Sequence, residues 1–488
     1  MHRLLLLIGL SLLVLCAPHD APAQITFERA YGGQFYDAGS EVLQLAGQGF
    51  LIIGTTRSIS NDTTDAWLIR TDAHGDTLWT HTYGGDDFDS GVSMVRATDG
   101  GYILAVASKS IRPDDYQIYL VKIDEQGEAQ WTRSHGGPEY EYVHSIAATR
   151  DGGYIVFSYT MSYGAGSRDF YLMKVNQSGD SLWAHTYGGA DFDLGSSVQQ
   201  TADGGYILCG STNSFQDPDG DVYLVRTDAS GDTLWTRSYG EAGYDHGYHV
   251  LVTKDGGFLV AGLTESLGEA FNNGLLIKTD AHGVVQWTAV YGGELRNYFD
   301  HAIQLASGDI VAVGSGHKSV DGDYDALIVR FDSDGNEVWT RYFGGDAYDR
   351  FNCLAETSDG GFVCVGNSES FGVEVDDQLY LVKTDGNGMI TGLDQEALRP
   401  ASCLLHQNYP NPFNPETTIN YALPRSMPVS LIITDALGRE VARLAEMAYM
   451  QAGTHSVLFN AEGIPSGVYL YRLETENAVL VRKMVVMK

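Results

Sequence analysis

Seven residues recur at one fixed place in the chain and carry most of its candidate chemistry. They are Asp37, Asp89, Glu141, Asp193, Asp245, Asn297 and Asp349, each 52 residues after the last. All but Asn297 are acidic. An aromatic precedes most of them: Tyr36, Phe88, Tyr140, Phe192, Tyr244 and Tyr348. The sixth unit departs, with Arg296 before Asn297. Carboxylates beside aromatic rings on one rim would suit cations or sugars. The competing role is local, because an acidic side chain at the start of a strand caps its own turn by accepting backbone N–H groups. Recurrence in every unit favours the cap.

Other candidates are fewer. The loop carboxylates Asp217, Asp219 and Asp221 would suit calcium. Asp332-Ser333-Asp334-Gly335-Asn336-Glu337 superficially has the spacing of a calcium loop, but Tyr342, Phe343 and Gly344 stand where the last ligand belongs. Its copies elsewhere read as hairpin turns. His246 and His249 are the closest histidine pair, and an exposed loop is the plainer setting for them. The chain has no His-Glu-x-x-His, no phosphate loop and no Gly-x-Ser-x-Gly. No catalytic residue and no cofactor is therefore expected, and calcium is the one metal under consideration.

These residues must be positioned by a repeat. Trp79, Trp131, Trp183, Trp235, Trp287 and Trp339 stand 52 residues apart, and one step back lies Phe27. Seven units fill residues 27 to about 390. One unit reads as a strand over about 195–201, the turn Asp203-Gly204-Gly205, a strand from Tyr206, a variable loop, a strand from Asp221, a turn at 229–232 and a strand from Thr233. Aromatic and β-branched runs between Asp-Gly turns are hairpin signals. Four short antiparallel strands per unit make a propeller blade. The segment at Phe27 has the phase of a fourth strand, so it is expected to complete the seventh blade and join the two ends of the ring. Phe27 and the six tryptophans are expected to wedge between blades. The segment Asp72-Ala73-His74-Gly75-Asp76-Thr77-Leu78-Trp79 and its copies resemble the tryptophan-docking repeat of quinoprotein propellers. The interval is one residue shorter here and no vicinal cysteine pair is present, so shared blade packing explains the likeness.

The ends of the chain speak of export. Leu4 to Cys16 is almost wholly apolar, and Ala21-Pro22-Ala23 supplies small residues. This predicts a signal peptide over 1–23, cut between Ala23 and Gln24. No later run is long enough to span a membrane as a helix. Cys209, Cys353, Cys364 and Cys403 fit no zinc spacing, and buried free thiols are expected. The chain of 488 residues carries a formal charge of −33, which argues against nucleic acid as a partner. Its 43% apolar content supports a large core.

Character changes after residue 392. A linker is expected over 393–404. Residues 405–488 hold seven basic and seven acidic residues, so the preceding 404 carry all of the net charge. This module opens Asn408-Tyr409-Pro410-Asn411-Pro412-Phe413-Asn414-Pro415. It continues through Gly438-Arg439 and Gly467-Val468-Tyr469, and ends Lys483-Met484-Val485-Val486-Met487-Lys488. It resembles the type A C-terminal sorting domain of the type IX secretion system. The resemblance covers all of 405–488. It implies an Ig-like β-sandwich, contact with the secretion machinery, and transfer of a periplasmic cargo across the outer membrane of a Bacteroidetes-type bacterium. Alternation at Val468 and Leu470, and at Val479 and Leu480, suits such a sandwich.

The sequence thus predicts an all-β protein: a seven-bladed propeller over 24–392 and an Ig-like sandwich over 405–488. The expected function is a secreted or surface-displayed binding module for a glycan or protein. The alternatives are an extracellular lyase or hydrolase acting on carbohydrate, and a structural spacer.

Overall fold

In the computed structural model, residues 24–391 and 404–487 are described. Short stretches within them are not: 48, 60–62, 113–114, 216–218, 269–271, 320–321, 372–375, 406–407, 409–410, 424–426, 436, 451–452 and 476–478. The expected signal peptide, most of the expected linker, Asp217, Cys403, Tyr409 and Pro410 lie outside the described residues. The described residues form strands and no helix, so none is long and apolar enough to cross a membrane.

The 52-residue unit folds as its turn chemistry requires. One copy comprises strands Asp193–Gln200, Tyr206–Thr212, Asp221–Thr227 and Thr233–Tyr239, hydrogen-bonded in that order as one antiparallel sheet. Six such sheets follow each other between Asp37 and Phe343. A further sheet joins Asp349–Glu356, Phe362–Ser368 and Gln378–Thr384 to the N-terminal strand Phe27–Tyr31. The second and third strands are buried almost throughout, while the fourth is largely exposed or half-buried. This is the burial expected of propeller-like blades packed face to face. Each first strand carries a one-residue bulge, as between Gly195 and Ser197. The bulge re-aims its side chains toward the neighbouring sheet.

Repeated bonds join neighbouring sheets. Ser40 Oγ donates to Gly91 O at 2.8 Å, from the first sheet to the second. Asn352 Nδ2 donates to Gly39 O at 2.8 Å, from the last sheet to the first. The Arg150 and Lys254 amides donate to Gln200 and Gln304 one sheet on, and the Ser358 amide makes the same bond to Gln44. Phe27, Val42, Ile52, Trp67, Val363 and Leu381 share one core. The bonds that link sheets along the chain therefore also link its last sheet to its first.

Each tryptophan ring lies against a glycine of the next sheet. A Cβ on Gly231 would come 2.9 Å from Trp183 Cζ3. The same approach recurs between Trp79 and Gly127, Trp131 and Gly179, Trp235 and Gly283, Trp287 and Gly335, and Trp339 and Gly388, with Phe27 over Gly75. Each ring covers the last turn of the next sheet. Tyrosines latch the same turns: Tyr83 OH donates to Gly127 O at 2.6 Å and Tyr187 OH to Gly231 O at 2.6 Å. Gly231 also sits at φ +87°, where a side chain is strained. Replacing Gly231 by Ala is expected to cost roughly 2–4 kcal/mol, strain plus clash. Gly256→Ala is the control: its φ is +83° but no atom lies within 4 Å, so only the strain remains. Urea unfolding should separate the two variants by more than about 1 kcal/mol.

Cys353 pairs with Val365, and Leu354 with Cys364, so the two thiols are one step out of register on opposite faces. Both are buried and free, as is Cys209.

The C-terminal unit comprises two sheets. Leu404–Leu405, Glu416–Leu423 and Gly453–Asn460 form one; Glu440–Met450, Met427–Asp435, Gly467–Thr475 and Val479–Val486 form the other. They share a core that includes Leu405, Phe413, Ile419, Tyr421, Leu431, Tyr471, Leu473 and Met484. The alternation around Val468 and Leu470 is present, and the other parity is the inward one. Tyr469, Tyr471 and Leu473 face the core, while Val468 is 47% exposed. Larger rings take the buried face because they remove more apolar area from water. Val479 is exposed too, at 60%.

Candidate functional site

The recurrent acidic residues begin the first strands, and all seven positions are buried. Each of the six acidic side chains is bonded within its turn through at least one oxygen, while Asp89, Asp193 and Asp245 keep a buried Oδ1 without a partner among the described residues. Asp37 Oδ2 accepts from the Gly33 amide at 2.9 Å and Ser58 Oγ at 2.6 Å. Asp89 takes Gly85 and Ser110, Asp193 takes Gly189 and Ser214, and Asp349 takes Gly345 and Ser370. Glu141 accepts from the Gly137 amide and from Thr160 Oγ1, and Asp245 from Ser266 Oγ. The cap reading therefore describes these side chains, and the carboxylate rim is corrected. A carboxylate buried this way meets the turn and not a solvent ligand. Burial raises the pKa of Asp37 and of Asp349.

Close approach explains the Gly-Gly that precedes each of the first four of these residues. A Cβ on Gly188 would lie 2.3 Å from Asp169 Oδ1 and 2.4 Å from Asp193 Oδ2. On Gly189 it would lie 2.5 Å from the Ser214 Cβ. Asp221, one of the loop candidates for calcium, is buried in the equivalent joint, with Oδ1 2.3 Å from a Cβ on Gly240 beside Asp245. Asp219 is described and is not without a partner. Among the described residues no three His, Cys, Asp or Glu side chains are grouped to hold a metal ion.

What the caps leave at the surface is aromatic. Tyr36, Phe88 and Phe192 are 41%, 42% and 46% exposed, and Phe35 is exposed beside them. Tyr140, Tyr244 and Tyr348 are half-buried. In the antiparallel register Asp193 pairs with Thr212, and Thr212 with Asp221. The aromatics, the starts of the first strands and the variable loops between second and third strands therefore lie at one end of the sheets. The Asp-Gly-Gly turns lie at the other. There the cations are paired in a repeating pattern: Lys122–Asp99, Lys174–Asp151, Arg226–Asp203, Lys278–Asp255 and Lys383–Asp359.

The aromatic end has two dense sectors. Tyr140, Tyr142 and Tyr159 lie nearly parallel, with centroids 5.8–6.3 Å apart, and Tyr116 meets Tyr140 edge-on at 5.2 Å. In the second, Tyr298 OH and Tyr348 OH are 2.5 Å apart, and Arg350 lies over Tyr298 while paired with Asp300. Arg168 belongs to the first sector and was not legible as a site residue from composition. Its signal was its charge, since its copies are Thr64, Tyr116, Gly220, Asn272, Tyr324 and Asp377, none of them basic.

The histidine pair is corrected as well. His246 is buried in a first strand and not in an exposed loop. Its Nε2 is 2.8 Å from Ser196 Oγ and its Nδ1 2.9 Å from Tyr244 OH, so both ring nitrogens are engaged. His249 stacks on His301 at 3.8 Å across the bulge from His246. Burial pushes the His246 pKa down to about 3 and that of His301 to about 4.

Deeper on the first strands, Glu41 Oε2 accepts from Ser93 Oγ and the Met94 amide, both at 2.8 Å. Burial pushes its pKa up to about 7. A raised folded-state pKa means the folded state holds the proton more tightly. Stability from that proton is present below the unfolded value near 4.5 and is lost as pH rises through 7. Glu41→Gln, which keeps an acceptor, should nearly match the parent at pH 4.5 and exceed it by about 3 kcal/mol at pH 8. Thermal unfolding at both pH values checks this.

In the C-terminal unit the opening and closing motifs meet. The Phe413 amide donates to Val485 O at 3.1 Å, and the Met487 amide to Phe413 O at 3.0 Å. The Val485 amide donates to Asn411 Oδ1 at 2.8 Å, and Asn411 Nδ2 lies 3.5 Å from Lys483 O. Pro412 stands between Asn411 and Phe413; the Pro415 carbonyl after Asn414 accepts from Ala461. Asn408 Nδ2 donates to Thr417 Oγ1, and its amide to Tyr471 OH. Gly438, at φ +80°, turns the chain so that the Arg439 amide reaches Asp435. Tyr469 OH, following Gly467, donates to Pro465 O.

Comparison with known proteins agrees at this end. Residues 407–487 match the family model described as the secretion system C-terminal sorting domain. This unit is a type IX secretion C-terminal sorting domain following a repeated β-rich body, which indicates export to the cell surface or secretion. The chain is 28% identical over 203 residues to the regulatory protein FlaEY of Caulobacter vibrioides; the match covers 36% of this chain and 21% of that protein. The match thus spans about a fifth of that relative's length. Among solved structures it is similar to a fungal alcohol oxidase of the AA5 family in complex with copper, at 12% identity and TM-score 0.47, covering 94% of this chain and 98% of that one. It is also similar to an endo-1,5-α-L-arabinanase from Thermotoga petrophila, at 11% identity and TM-score 0.29, covering 72% and 99%.

Proposed function

We propose that the protein is an exported carbohydrate-binding module. Its body is a closed seven-bladed β-propeller, and its ligand sits on the end of the sheets that carries the aromatic residues. An Ig-like C-terminal domain engages the type IX secretion machinery and passes the body from the periplasm across the outer membrane of a Bacteroidetes-type bacterium. The observation that carries the binding reading is the placement of Phe35, Tyr36, Phe88 and Phe192, exposed at one end above buried, capped carboxylates. Aromatic faces stack on sugar rings through their C–H groups at low entropic cost. The reading is of binding and not of catalysis, because each recurrent carboxylate is buried and bonded to its own turn. The closed ring is supported by the bonds from Asn352 to Gly39 and from Ser358 to Gln44.

A glycan array probed with residues 24–488, in calcium and in chelator, tests this. Saturable binding to a defined sugar supports it, and calcium dependence would bring in a metal beside the caps. A blank array in both buffers contradicts carbohydrate binding and leaves a structural spacer.

A further inference from the structure

The sector around Arg168 differs from the rest of the molecule. Most cations of the opposite end have a carboxylate partner. At the aromatic end, Arg57, Lys109 and Arg168 instead lie over rings. Arg57 Cζ is 5.3 Å from the Phe35 centroid and Lys109 Nζ 4.9 Å from that of Tyr116. Arg168 Cζ is 5.1 Å from the Tyr159 centroid and 5.6 Å from that of Phe192. None of the three forms a salt bridge among the described residues, in a chain of charge −33.

Arg168 is the most constrained. Its backbone bridges to Phe192 and accepts the Asp193 amide at 2.8 Å. Rings hold its guanidinium, and its Nε is buried with no hydrogen-bond partner. Ring contact fixes the plane of the group and leaves the donors on its edge without protein acceptors. A planar edge of N–H donors is matched by a carboxylate, which binds it with two parallel bonds. Beside it, Tyr140, Tyr142 and Tyr159 offer near-parallel rings, and Tyr116 carries Lys109. Asp87 is the surface carboxylate that acts on Tyr116, so Lys109 is the weaker anion donor of the two.

We infer that this sector takes a uronic acid unit of an acidic polysaccharide. The sugar carboxylate sits on the Arg168 edge, and the ring of this or the adjoining sugar lies on Tyr140 or Phe192. The inference rests on the proposed carbohydrate binding and names its ligand class. The nearest carboxylates, Asp169 and Asp193, are buried and bonded within their turns, and charges more than about 8–10 Å away are screened at physiological salt.

The test is titration calorimetry of residues 24–488 with tetragalacturonate and with the neutral cellotetraose. Parent, Arg168→Gln and Lys109→Gln are compared, with near-UV circular dichroism confirming folding. Expected are binding of the uronate in preference to the neutral sugar, a loss of at least tenfold for Arg168→Gln and a loss of two- to threefold for Lys109→Gln. Equal affinity for both sugars, or uronate binding unchanged by Arg168→Gln, overturns the ligand class and leaves carbohydrate binding standing. If Arg168→Gln does not fold, the Lys109→Gln ratio decides, and an unchanged value overturns the inference. No binding of either tetrasaccharide overturns the inference, and a blank array would overturn the binding reading with it.

Discussion

Deleting residues 24–32 is expected to lower the unfolding midpoint by roughly 5–10 °C and to promote concentration-dependent self-association. The strand Phe27–Tyr31 pairs with Gln378–Thr384 from Phe27↔Lys383 to Tyr31↔Leu379. Without it the last sheet has three strands and an open edge. Phe27, 5% exposed, leaves a core shared with Phe50, Ile52 and Leu381. Glu28 no longer meets the Tyr380 hydroxyl. The latch from Tyr31 OH to Gly75 O is lost as well. Two large side chains at about 2–3 kcal/mol each, with the ladder bonds, come to about 5 kcal/mol or more. Calorimetry and sedimentation velocity of the truncated and parent proteins check the expectation. An unchanged midpoint would mean that the N-terminal strand is an appendage and that the sheets do not depend on it.

Phe413→Ala is expected to abolish surface display while leaving the body folded. Phe413 is 3% exposed, and its backbone joins the opening motif to the last strand through Val485 and Met487. Truncating a buried Phe costs about 3–5 kcal/mol. A domain of this size has about 4–12 kcal/mol in all. The substitution therefore removes a large share of the sorting domain's stability and raises its unfolded fraction at growth temperature. Fractionation of a type IX-secreting host, with protease applied to intact cells, should find the variant retained inside the outer membrane. Lys483→Gln, on the exposed side of the same strand, separates folding from recognition. Surface display lost with the domain still folded would show that the machinery reads this edge directly.

Much of this architecture is written in the chain because the repeat states each rule seven times. The 52-residue spacing of the tryptophans and the Asp-Gly-Gly turns locate the strands of every sheet to within one or two residues. The odd phase of Phe27 identifies its partner strand at the far end of the repeat, where Phe27 lies opposite Lys383 and Glu28 opposite Val382. Asp193 and its copies are legible as caps for the same reason, since a ligand site would single out one unit. The parts that escaped are those where two side chains compete for one place. Tyr469 displaced Val468 from the sandwich core because alternation alone does not say which parity is larger. His246 was legible as a residue but not as a buried one, because the hydroxyls that satisfy it, on Ser196 and Tyr244, come from a neighbouring sheet and from its own turn. Arg168 carries its meaning only through rings brought from other segments, Tyr159 and Phe192, and no local pattern announces that meeting.

The measurement that tests the central claim most directly is a hydrogen-exchange footprint of residues 24–488 with and without the strongest ligand from the glycan array. Slowed exchange at 86–90, 138–142, 161–168 and 190–193 is predicted, with no change at the turns 99–101, 151–153 and 203–205. Protection confined to those Asp-Gly-Gly turns, or to the outer strands such as Thr233–Tyr239, would place the ligand away from the aromatic end and contradict the account.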